Sequence, residues 1–110
     1  MNVNTLTIKA QELLQSAIAT ARQQKQQALE PLHILEVATA DDNSVASYLI
    51  GRVGGNLQSI RREVTDAIKR LPRVETSDDN VYFSRETSAL IQRAVDLTRK
   101  LSDRYASVEH

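Results

Sequence analysis

TIKAQELLQSAIATARQQKQQALEPLH, residues 7–33, is answered 77 positions later by SRETSALIQRAVDLTRKLSDRYASVEH, residues 84–110, with no insertion in either stretch. At that offset Leu13, Gln15, Ala17, Arg22 and His33 meet identical residues at Leu90, Gln92, Ala94, Arg99 and His110, and Thr7, Leu14 and Ile18 meet the similar Ser84, Ile91 and Val95. Both stretches run in the same order. A hydroxyl residue able to cap a helix, Thr7 or Ser84, precedes a stripe of small and apolar residues: Ala10, Leu13, Leu14, Ala17, Ile18 and Ala21 in one, Thr87, Leu90, Ile91, Ala94, Val95 and Thr98 in the other. That spacing is one buried face of a helix. After a polar connection each stretch opens a second helix: Pro31 suits a first turn, where its missing N–H is not needed, and Ser107 can cap. The chain is built on an internal repeat.

Working outward, 110 residues hold one core, enough to bury roughly two thirds of the unfolded surface but not two independent cores. Fourteen basic residues balance fourteen acidic ones, so no net field favours nucleic acid or an anionic membrane. The absence of cysteine rules out a disulfide framework and thiolate chemistry and fits a reducing compartment, with the cytoplasm the expected location. MNVNTLTIKA has neither a basic start nor an apolar segment, and no apolar run approaches a membrane span, so neither export nor a membrane partner is expected.

The first helix is expected from about Ile8 to Lys25, fading into RQQKQQ, which reads as a solvated last turn and loop. A second follows Pro31 and ends before Asp41-Asp42-Asn43. The third starts at the capping residue Ser44 and is expected to bury Val45, Tyr48, Leu49 and Val53. Gly54-Gly55-Asn56 combines a helix-ending glycine with a cap for a fourth helix from Leu57 to Leu71, stopped by Pro72. The polar, unperiodic PRVETSDDNV reads as an extended linker, since nothing apolar appears able to pair with Val81 and Tyr82 as a strand. A fifth helix runs from Ser84 to about Leu101, with Leu101 the last residue of its apolar stripe, and Ser107 begins a sixth. The expected fold is all-α, a pseudo-twofold repeat of a four-helix unit: repeat one at 1–71, linker at 72–83, and the first part of a truncated repeat two at 84–110.

Chemistry is scarce. The glycines Gly51, Gly54 and Gly55 do not make a phosphate-cradling loop followed by Lys and Ser or Thr, so no nucleotide, no other cofactor and no ATP hydrolysis are expected. Gly51-Arg52-Val53-Gly54 matches the spacing of a KH nucleic-acid loop but lacks the neighbouring sheet, and a helix-ending turn explains it. His33 and His110, near Glu30 and Glu109, could in principle ligate a metal. As repeat equivalents they read instead as imidazoles tucked at two helix starts, and no metal site or catalytic residue is assigned. The carboxylate pairs Asp41-Asp42 and Asp78-Asp79 fall in loops.

TIKAQELL, EPLHIL, NLQSIRREVTDAIKRLP and YFS followed by a helix and RYASVEH together resemble the N-terminal Clp repeat domain of the Clp ATPases, over essentially the whole chain and most closely in the disaggregase-chaperone branch. The resemblance implies a domain attached to AAA+ ATPase modules, hexameric in the family, that receives unfolded or aggregated polypeptide and passes it to the pore. The alternative it leaves open is docking of a folded adaptor, as in the protease-associated branch. It further implies a polar patch at Thr7, Asp103 and Glu109 and an apolar groove beside it, for which Leu97 and Tyr105 are the candidates. Family members that recognise phosphorylated arginine carry an acidic residue before each repeat histidine. Here Glu109 precedes His110 but Leu32 precedes His33, which argues against a symmetric pair of such sites.

The equivalent of Leu71 in the second repeat would fall at about residue 148, so the fifth helix is expected to lack part of its packing. A chain ending at His110 is therefore expected to self-associate through that helix or to melt below a chain extended to about residue 148, since each exposed Leu-sized side chain forfeits roughly 1.5–3 kcal/mol. Light scattering and thermal melts of the two lengths test this.

Overall fold

The computed structural model describes residues 5–75 and 80–110. The expected signal-free start at residues 1–4, the middle of the linker at 76–79 and the Asp78-Asp79 pair lie outside the described residues.

Capping chemistry sets each helix start. Helix α1 (Ile8–Gln23) begins where Thr7 Oγ1 accepts the Ala10 N–H at 3.2 Å. The chain then passes through strand β1 (Ala28–Leu29) into α2 (Pro31–Ala38), which has proline in its first turn. Helix α3 (Val45–Arg52) is capped by Ser44, whose Oγ accepts the Ser47 N–H at 3.1 Å. It ends on Gly54, whose φ of +83° only glycine adopts without cost. Asn56 caps α4 (Leu57–Lys69) by accepting the Ser59 N–H at 3.0 Å. After strand β2 (Tyr82–Phe83), Ser84 accepts the Thr87 N–H at 3.1 Å and opens α5 (Arg85–Lys100).

The offset of 77 reappears in the backbone. Helices α1 and α5 end identically: Lys25 (φ 57°) and Ser102 (φ 59°) turn left-handed, and the next N–H groups close back on the helix, Gln26 to Ala21 O at 2.9 Å and Asp103 to Thr98 O at 2.8 Å. Pairing is crossed between the repeats. Strand β1, after α1, pairs in parallel with β2, before α5, in the register Ala28 with Tyr82 and Leu29 with Phe83. The mate of that pairing is a bridge from Leu6, before α1, to Ala106, after α5. Each repeat thus holds the other's ends. Two buried clusters follow: Leu6, Ala10, Ile91 and Ala106 between α1 and α5, and Ala17, Ala21 and Leu29 under α2, with Phe83 packed against both.

Several expectations change. Tyr82 and Phe83 are not an unpaired linker end, because Ala28 and Leu29 supply the partner strand. The RQQKQQ run is not wholly solvated, since Gln26 is buried. Helix α3 faces the opposite way: Ser47 is buried while Val45, Tyr48, Leu49 and Val53 are exposed. Hydroxyl bonds orient it, Ser44 Oγ donating to Ala38 O at 2.7 Å and Ser47 Oγ to Asp41 O at 2.8 Å, so the polar side of the first turn is held against the α2–α3 loop. Leu101, expected in the α5 stripe, caps that helix and is also exposed. The expected sixth helix is present as a turn, with the His110 N–H donating to Ser107 O at 3.0 Å.

Candidate functional site

The crossed pairing clamps the start of α1 to the segment after α5. The Thr7 N–H donates to Ala106 O at 2.8 Å, and the Ala106 N–H to Thr5 O at 2.7 Å. In consequence Thr7 Oγ1 lies 3.4 Å from Ser107 Oγ. Three residues on, His110 Nδ1 accepts the Ser107 N–H at 2.9 Å, which leaves the ring proton on Nε2, 2.8 Å from Asp103 Oδ2. Glu109 Oε1 stands 4.0 Å from Nδ1. The imidazole is nearly enclosed, at 3% exposure, whereas Asp103 keeps 49% of its side chain open. Thr7, Asp103 and Glu109 therefore gather around one buried histidine, with both carboxylates reaching solvent.

The mate of this arrangement lies on α2. His33 Nδ1 accepts the Glu30 N–H at 2.9 Å, and Nε2 lies 2.6 Å from Gln26 Oε1. The Gln26 amide then donates to Ile68 O at 2.7 Å, tying the loop to the last turn of α4. His33 is fully buried. Burial lowers its pKa below the ordinary 6.5, and the charges of Glu30 and Glu36 offset part of that shift. Gln26 escaped the sequence reading. The signal for it was the offset itself, which makes residue 26 the mate of Asp103.

Beside the patch lies an apolar groove of about 690 Å³ between α1, α2 and α5, walled chiefly by Leu13, Leu32, Leu35, Leu90 and Val108. Leu13 with Leu90, and Pro31 with Val108, are repeat mates that both line it, so the groove sits on the pseudo-twofold axis. A second hollow of about 270 Å³ shares Leu13, Ile34, Leu90 and Val108 and reaches Glu109 and His110. Groove and polar patch are thus continuous. Leu97 and Tyr105, the apolar candidates, line neither hollow: Leu97 is half-buried on α5 and Tyr105 is exposed just before the bridged Ala106. Among the described residues no group of three metal-ligating side chains assembles, and no helix is long and apolar enough to cross a membrane.

A family model described as the Clp repeat (R) N-terminal domain matches residues 5–110. The chain is 39% identical over its whole length to the chaperone protein ClpB of Porphyromonas gingivalis and 34% identical to that of Bacteroides thetaiotaomicron, spanning 12% of each relative. Among solved structures, the Hsp104 N-terminal domain from Candida albicans superposes with a TM-score of 0.82 at 20% identity, over 93% of this chain and 67% of that one. The N-domain of ClpV from Vibrio cholerae superposes with a TM-score of 0.81 at 16% identity, over 94% of this chain and 61% of that one. These likenesses fix the fold as that of Clp and Hsp104 N-domains.

Proposed function

Because the chain belongs to the Clp repeat N-terminal domain family, we propose that it is the substrate-receiving domain of a ClpB-like, ATP-dependent disaggregase chaperone. In this reading it binds unfolded or aggregated polypeptide in the cytoplasm and hands it to AAA+ modules of a hexameric parent, without hydrolysing ATP itself. Repeat one spans 1–71, a linker 72–83 and the start of repeat two 84–110. The observation that carries the reading is the continuity of an apolar groove with a solvent-facing acidic patch. An apolar segment of an unfolded chain gains by burial in the groove whatever its sequence, and the carboxylates give its polar backbone and side chains acceptors at the rim. Thr7, Asp103 and Glu109 are the polar contacts. The groove walls Leu13, Leu90 and Val108 take the apolar role in place of Leu97 and Tyr105, which flank it at most.

Titrating the fluorescently labelled chain with a denatured client and, separately, with folded adaptor proteins tests this. Weak binding of the denatured client that is lost on Leu90→Asp supports the reading. Binding of one folded adaptor at fixed stoichiometry, with none to denatured clients, would replace it with adaptor docking.

A further inference from the structure

The groove between α1, α2 and α5 carries charge as well as apolar walls, and the charge has one sign. Glu30 and Glu86 line the larger hollow and Glu109 the smaller, while no described Lys or Arg lines either. Basic and acidic residues cancel over the whole chain, so this sign belongs to the groove. The backbone sets where the carboxylates stand. At one end Leu29 O accepts the Ser84 N–H at 3.1 Å and the Thr87 hydroxyl at 2.6 Å, which brings the start of α5, with Glu86, beside the start of α2, with Glu30. The repeat mate of the first bond runs from the Thr7 N–H to Ala106 O at 2.8 Å and sets Ser107 and Glu109 across the pseudo-twofold axis. Carboxylates therefore stand at both ends, with Leu13 and Leu90 between them. Two of the three are uncommitted. Glu86 is exposed and has no hydrogen-bond or ion-pair partner among the described residues. Glu109 comes within 4.0 Å of His110 Nδ1, but that nitrogen already accepts the Ser107 N–H and has no proton to offer.

We propose that the groove selects, among unfolded segments, an apolar stretch flanked on both sides by Lys or Arg, one base reaching Glu86 and Glu30 and the other reaching Glu109. The inference rests on the client-binding reading above and adds a specificity to it. Burial on the Leu13 and Leu90 walls favours any apolar segment and does not discriminate among them. The flanks do. A Lys or Arg next to the buried stretch can lay its methylene stem along the apolar wall while its charged head reaches a rim carboxylate. An Asp or Glu in the same place meets like charge at either end. Because both ends are acidic and Leu13 and Leu90 are repeat mates, the preference holds whichever way the segment runs through the groove. The rim charges face solvent, so their contribution is modest and falls with salt.

Three fluorescently labelled peptides test this by anisotropy against the 110-residue chain: one apolar core of Leu, Val and Ala, blocked at both termini and flanked on each side by two Lys, two Gln or two Glu. Affinity should fall in that order, with the Lys-flanked peptide binding roughly fivefold tighter than the Gln-flanked one at low salt and competing with a denatured client. High salt should shrink that gap, and so should the double variant Glu86→Gln/Glu109→Gln, whose two exposed positions tolerate the change. Asp66→Asn on α4 also removes an exposed carboxylate, but one that lines neither hollow, and should leave the gap as it is. If a denatured client binds but the three peptides bind alike, or if the gap survives in the double variant or closes equally in Asp66→Asn, the flank preference is overturned and the client-binding reading stands. If neither client nor peptide binds, both fall. A free chain that sediments as a dimer and sheds its partner on Leu90→Asp would give the groove to a second copy and overturn the proposal.

Discussion

The loops that carry His33 and His110 share a backbone and differ in one partner. Both follow a left-handed residue, Lys25 or Ser102, and in both Nδ1 accepts an N–H from three residues earlier at 2.9 Å. In both, Nε2 reaches back seven residues, but to an amide in one copy and to a carboxylate in the other. Gln26 is packed under α4, and an amide there can accept from the histidine while donating to Ile68 O, which also takes the Leu71 N–H. A carboxylate there would be desolvated and would face the carbonyl with no proton to give. Asp103 has no such neighbour to satisfy and remains half open to water. The same device is structural in repeat one and presents charge at the surface in repeat two.

Removing the two rings should expose that difference most strongly. His33→Ala leaves the Glu30 N–H and Gln26 Oε1 without their partner and opens a cavity, and should cost about 3 kcal/mol in urea denaturation. His110→Ala also opens a cavity and leaves the Ser107 N–H without its acceptor, but its partner carboxylate can turn to water, so it should cost less, about 2 kcal/mol. Equal losses would erase the distinction. Exchanging the partner is the next largest effect. Gln26→Asp gives repeat one the chemistry of repeat two in a buried setting, and should cost about 2 kcal/mol near neutral pH.

The pH dependence sharpens the comparison from the side of His33. Its folded pKa lies below the unfolded value of 6.5, so the unfolded chain takes up the proton first as pH falls. The stabilisation is complete above about pH 6.5 and is lost below it, at no more than about 1.4 kcal/mol per pH unit, until the folded ring protonates too. Urea midpoints from pH 7.5 to 5.5 should fall in the wild type. His33→Asn should remove that part of the slope, and an unchanged slope would assign it to other groups.

What the sequence made legible was local. Thr7, Ser44, Asn56 and Ser84 cap where capping chemistry says they should, and the stripes of α1 and α5 bury Ala10, Ala17, Ala21, Thr87, Ile91 and Thr98, as a 3.6-residue period requires. What escaped depends on elements distant in the chain. Two-residue strands are too short for any period, and β1 and β2 exist because the repeats exchange their ends. Gln26 looked like one more residue of a polar run until α4 came to rest on it. In α3 the period was right and the face wrong: hydroxyl bonds from Ser44 and Ser47 outweighed the apolar stripe, which stays in water. Of the site, Thr7, Asp103 and Glu109 follow from resemblance, but their assembly around His110 needs the Leu6–Ala106 bridge, which no local pattern announces.

The smallest expected effect on stability is also the one that bears most on function. Asp103→Ala and Glu109→Ala remove carboxylates that are about half exposed, and surface changes of that kind stay within about 0.5 kcal/mol. Asp103→Ala does remove the acceptor from His110 Nε2. That nitrogen lies at the boundary with solvent on the side Asp103 vacates, so water can take the acceptor's place. In the full-length parent the same two variants should weaken capture of a denatured client while leaving the thermal melt of the isolated chain nearly unchanged. Gln26→Ala should do the reverse, lowering the melt and sparing capture wherever the domain is still folded. A large drop in melting temperature for Asp103→Ala would make the second loop structural like the first, and the acidic patch would then be a consequence of the repeat.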